Sequence, residues 1–153
     1  MRNISTIKSE IISEESALTN LRERLSNEEL ALQALKQQSD ELKKYILLLS
    51  KSQDKIIGIP ESLEVYVKDD IRQAIGGESG NNLANTTDKS IEMCVKATHS
   101  ISQVLLIGNE DRKKLGVKIA NKEDVILDIK NQINKKEIVI IKLKRELNTI
   151  SYN

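Results

Sequence analysis

The chain has 153 residues, with three tyrosines, no Phe and no Trp, and 31% charged side chains that nearly cancel to a net charge of +1. So few aromatic anchors argue against an ordinary compact core, and the charge balance argues against a partner held by bulk electrostatics; solvated helix faces around an apolar seam fit better. The lone Cys94 fits a reducing cytosol rather than a disulfide framework.

The first predicted element is a long helix over 1–58. Placing heptad position a at Ile4 puts Ile11, Leu18, Leu25, Leu32 and Ile46 on the same stripe, with Ile7, Leu21, Leu35, Leu42, Leu49 and Ile56 at d. A 3.5-residue repeat held over eight heptads is the signature of a coiled coil, because an ordinary amphipathic helix drifts off a seven-residue stripe within a few turns. Only Glu14, Glu28, Ser39 and Gln53 interrupt it.

Gly58 and Pro60 predict its end. The middle segment, 59–87, then holds a short amphipathic helix carrying Leu63, Val67, Ile71 and Ala74 or Ile75, stopped by Gly76-Gly77. This helix is expected to fold back over Leu47, Leu48, Leu106 and Ile107, which lie off the main seam. Residues 76–82 read as a glycine-rich loop, with Thr86, Thr87 or Asp88 capping the next helix. The loop lacks the Gly-Lys-Ser/Thr ending of a phosphate-binding loop and follows no strand, which argues against a nucleotide role.

A second long helix is predicted over 88–150. Its a series includes Ile91, Leu105, Ile119, Ile126, Ile133, Ile140 and Leu147, and its d series includes Cys94, Ile101, Leu115, Ile129, Leu143 and Ile150. The phase does not slip at Gly108, so the helix is read as continuous, with a glycine that costs about 1 kcal/mol. Its polar seam positions are Thr98, Arg112, Lys122 and Lys136.

These interruptions mirror those of the first helix. Glu14 with Lys136 and Glu28 with Lys122 share one antiparallel offset, and Ser39 with Arg112 and Gln53 with Thr98 share another within a residue of it. The expected fold is therefore all-α: an elongated antiparallel helical hairpin, or coiled coil, of two long helices with a short helix and glycine-rich loop at the closed end, forming one domain over 1–153. Glu14, Glu28, Lys122 and Lys136 are expected to set register, because a half-buried charge without its partner penalises other alignments.

No chemistry is evident. Cys94 and His99 are five residues apart, not the three or four that would place two ligands on one helix face. No catalytic residue, metal site or cofactor is expected, and a two-helix hairpin implies no enclosing pocket, which argues against an enzyme. The basic excess lies on the second helix and interleaves with Ile and Val, so nucleic-acid binding is the weakest of the binding readings. No apolar run is long enough to span a bilayer and no signal peptide is visible, so a cytoplasmic location, or export without a cleavable signal, is expected.

The second helix carries more apolar surface than one seam requires. Val125, Leu127, Ile138, Val139 and Ile141 surround its seam positions, and Ile12 and Leu30 lie outside the seam on the first helix. These seven are the expected contacts for a further helix, from a different protein or from another copy.

An N-terminal heptad helix starting almost at Met1, a glycine-containing middle and a C-terminal heptad helix together resemble the small helical accessory proteins encoded beside LXG-type toxins of Gram-positive type VII secretion, including the YwqH-like group. Ile75-Gly76-Gly77 stands where such hairpins often carry Trp-x-Gly. The resemblance implies a targeting chaperone that binds the helical N-terminal domain of a toxin. The alternative is a self-assembling coiled-coil scaffold or spacer, and a third reading is a basic-helix nucleic-acid binder.

Overall fold

The computed structural model describes residues 2–152, apart from the side chains of residues 69 and 70. The described residues form a helical hairpin without strands: α1 (Ile4–Leu63), a single 3-10 turn (Glu64–Val67), α2 (Asp69–Ile75) and α3 (Gly77–Ser151). None of these helices is long and apolar enough to cross a membrane. By contact density the chain divides into two units, Met1–Gln38 with Leu115–Asn153, and Ser39–Lys114.

In the first unit α1 begins at a cap. Asn3 Oδ1 accepts the Ser5 backbone N–H at 3.1 Å, satisfying one donor that the first turn leaves unpaired. The expected a and d residues then meet across the helix pair. Leu18, Ile129, Ile133 and Ile140 form one buried cluster with Leu21 and Leu25 against it; Ile7, Ile11 and Leu143 form another with Leu147 and Ile150. Ile7 and Ile129 are completely enclosed. Burying each such side chain contributes about 1.5–3 kcal/mol, which is what holds two otherwise solvated helices together.

The second unit departs from expectation at three places. First, α1 does not stop at Gly58 but runs to Leu63 with Pro60 inside it. Pro60 occupies an a position and Leu63 a d position, and both are half-buried. Seam burial thus outweighs the lost hydrogen bond and ring clash of an internal proline, about 3 kcal/mol. Val67 falls in the 3-10 turn, and only Ile71, Ala74 and Ile75 of the predicted short helix lie in α2.

Second, the glycine-rich segment is helix, not loop. Gly76 and Gly77 take positive φ values of 79° and 57°, and α3 starts at Gly77 rather than near residue 88. Gly80, Ala84 and Thr87 are buried and continue the d, a, d series backwards from Ile91. Small residues occupy the seam there because the chain passes close by: a Cβ on Gly80 would lie 2.5 Å from the Arg72 carbonyl oxygen. Thr87 is consequently no cap, and its hydroxyl donates to the Leu83 carbonyl at 2.8 Å within the helix. Thr86 and Asp88 also lie inside α3.

Third, the short helix does not cover the off-seam leucines. Leu47, Leu48, Leu106 and Ile107 are all more than half exposed. The seven residues of α2 span only about 10 Å, whereas Leu47 lies sixteen residues, about 24 Å, before the end of α1. Gly108 meets the expectation of a continuous helix. It packs against Ile46, where an added Cβ would stand 3.2 Å from Cγ1.

Candidate helical docking surface

The polar seam positions resolve into specific contacts. Lys122 Nζ donates to Glu28 Oε2 at 2.6 Å, with both side chains about a quarter exposed. Lys136 Nζ lies 2.6 Å from Glu14 Oε2, at an angle outside hydrogen-bond geometry, so this contact is an ion pair without a well-aligned hydrogen bond. In the second unit Gln53 Nε2 donates to the Thr98 carbonyl at 3.1 Å and to Ser102 Oγ at 2.6 Å. Ser39 is buried while Arg112 is exposed.

A further set of contacts in the first unit escaped the sequence reading. On the residue following each d position, Glu15 pairs with Lys144 at 2.7 Å, Arg22 with Glu137 at 2.8 Å, Glu29 with Lys130 at 3.2 Å and Lys36 with Glu123 at 3.0 Å. Each step of seven along α1 meets a step of seven back along α3. The signal was present in the sequence as alternating charge at one heptad position of both helices, but it appears only when the positions beside the seam are read as carefully as the seam. At the chain start, Arg2 chelates both Glu10 carboxylate oxygens at 2.7 Å and reaches Glu146 at 3.2 Å.

The seven expected partner contacts are exposed but do not share one surface. Ile12, Leu30, Leu127, Ile138 and Ile141 are 67%, 62%, 59%, 53% and 50% exposed; Val125 and Val139 are less so, at 36% and 40%. Ile141 lines a groove of about 540 Å³ between the Glu15–Lys144 and Arg22–Glu137 pairs. Val139 lines a different groove, with Glu10 and Glu14, on the other flank of the helix pair, and Val125 lines a third with Leu35 and Lys118. By heptad position Ile12 and Leu127 lie toward the ion-pair flank, and Leu30 and Ile138 face outward from their own helices.

Three of the seven do form a stripe. Leu127, Ile138 and Ile141 on α3 are separated by eleven and three residues, which returns them to one helix face, and the exposed Asn131 and Asn134 fill the positions between. The stripe is therefore uncharged from Leu127 to Ile141, on a helix whose neighbouring positions are densely charged.

Cys94 is partly buried on the seam of the second unit, and His99 is exposed, its Nε2 3.3 Å from Gln103 Nε2. No group of three metal-ligating side chains occurs among the described residues. Comparison with protein-family models, curated proteins and solved structures finds no match to the chain.

Proposed function

We propose that this chain is a non-enzymatic adaptor that binds a helical partner through the outer face of α3 in the first unit, in the manner of a targeting chaperone for the helical N-terminal domain of a secreted toxin. The observation that carries this reading is the uncharged stripe Leu127–Asn131–Asn134–Ile138–Ile141. Its three large apolar side chains are at least half exposed although the hairpin seam is already complete. An amphipathic helix laid along it would bury those side chains, and the two asparagines would meet polar groups near its middle.

The test is co-expression with the helical N-terminal region of a toxin encoded beside this gene. The reading requires a stoichiometric complex that Leu127→Lys combined with Ile138→Lys abolishes, without loss of the chain's helicity. A chain that stays a monomer in the presence of that region would defeat it. Assembly with itself alone, disrupted by the same substitutions, would support the scaffold reading instead.

A further inference from the structure

The four exposed ion pairs beside the d positions of the first unit follow a rule that the apolar seam cannot supply. Along α1 the signs run negative, positive, negative, positive at Glu15, Arg22, Glu29 and Lys36. Along the antiparallel α3 they run positive, negative, positive, negative at Lys144, Glu137, Lys130 and Glu123. A heptad seam discriminates poorly between registers that differ by seven residues, because such a slip again places a and d positions opposite one another. The charges do discriminate. Sliding one helix by a heptad sets Glu15 against Glu137, Arg22 against Lys130 and Glu29 against Glu123; sliding it the other way sets Arg22 against Lys144, Glu29 against Glu137 and Lys36 against Lys130.

We infer that this alternating ladder is a register lock: it makes the observed alignment of α1 and α3 in the first unit the one in which every rung attracts, and converts either one-heptad slip into at least three like-charge contacts. Each pair is about half exposed, so its own contribution to stability is small. The effect lies in the gap between alignments, since every rung changes sign together. A two-heptad slip restores the signs but keeps fewer rungs, with Lys8 against Glu137, Glu15 against Lys130 and Arg22 against Glu123 one way, or Glu29 against Lys144 and Lys36 against Glu137 the other. On the seam it would oppose only Glu14 to Lys122 one way, or Glu28 to Lys136 the other, and leave the remaining two charges without the partners they now have. Glu14–Lys136 and Glu28–Lys122 therefore exclude the slip that the ladder tolerates best.

The test inverts the ladder without changing net charge. One variant of the full chain carries Glu15→Lys, Arg22→Glu, Glu29→Lys and Lys36→Glu; a second carries Lys144→Glu, Glu137→Lys, Lys130→Glu and Glu123→Lys; a third carries all eight. Glu, Lys and Arg have similar helix propensities, so losses in the first two are not due to helix formation itself. Spin labels on cysteines placed at the exposed Ser9 and Asn121, in a Cys94→Ala background, report the alignment, because a seven-residue slip moves one label along the axis by about 10 Å. Each four-residue inversion is expected to shift the label distance by that amount or broaden its distribution, or to lower the melting temperature by about 5 °C or more. The eight-residue inversion is expected to restore both readouts. An inverted α1 that keeps the original distance and melting temperature would overturn the lock, and so would failure of the eight-residue variant to recover.

Discussion

Lys122 Nζ meets Glu28 Oε2 at 2.6 Å from the opposite helix, each on a d position that the heptad repeat would otherwise fill with leucine or isoleucine. The two charges are only partly screened by water, so they depend on each other more than any surface pair of the chain does.

Removing one member of this pair should cost more than removing both. Glu28→Leu leaves the Lys122 ammonium facing an apolar seam and is expected to destabilise the chain by about 1–2 kcal/mol, less than for a fully buried pair because solvent still reaches it. Glu28→Leu combined with Lys122→Leu should recover that loss or exceed wild-type stability. Urea unfolding followed by circular dichroism measures both, and a double variant weaker than the single one would contradict the account.

A buried seam residue and an exposed off-seam residue of similar size should differ sharply in their cost of truncation. Ile129 is completely enclosed, so Ile129→Ala should cost about 2–4 kcal/mol through lost burial and the cavity left behind. Leu127, two residues earlier and mostly exposed, should lose less than about 0.5 kcal/mol as Leu127→Ala. The comparison is made in the isolated chain, where no partner covers Leu127.

Three glycines in α3 should sort by what surrounds them. Gly116 has nothing within 4 Å of an added Cβ, so Gly116→Ala should stabilise by about 0.5–1 kcal/mol through helix propensity. Gly108→Ala gains the same propensity but presses a Cβ to 3.2 Å from Ile46 Cγ1, and should fall below Gly116→Ala in melting temperature. At Gly80 the neighbour is the Arg72 backbone carbonyl at 2.5 Å, which cannot give way as a side chain can. Gly80→Ala should therefore displace α2, seen as faster amide exchange at Gly76, whose N–H bonds the Arg72 carbonyl at 3.1 Å.

Gln53 offers a test of the polar seam in the second unit. Its amide holds both the Thr98 carbonyl and Ser102 Oγ. Gln53→Ala should lose about 1 kcal/mol as these acceptors lose their donor. Gln53→Leu should lose less, because it restores an apolar a residue. Thermal melts of the two variants decide the order.

The long helices and their pairing were legible because a seven-residue repeat has one physical cause: a face that must stay against a partner. Ile7, Leu18, Ile129 and Ile140 are buried where the repeat put them, and the Glu14, Glu28, Lys122 and Lys136 positions meet in pairs. The middle of the chain misled for a related reason. Gly80, Ala84 and Thr87 occupy seam positions without being large apolar residues, so a reading that counts isoleucine and leucine sees a loop where close approach of the backbone demands small side chains. The expected docking residues are exposed, but they divide between flanks.

What the amino-acid sequence by itself determined is which residues face inward along each helix, since that depends only on periodicity within a continuous chain. Tertiary structure alone decided where the helices stop and which outward residues share a surface. Pro60 remains helical because its neighbours bury the seam around it, and α3 starts eleven residues early because Arg72 and Gly80 come together. Both outcomes depend on contacts between different elements, whose energies local propensity does not contain.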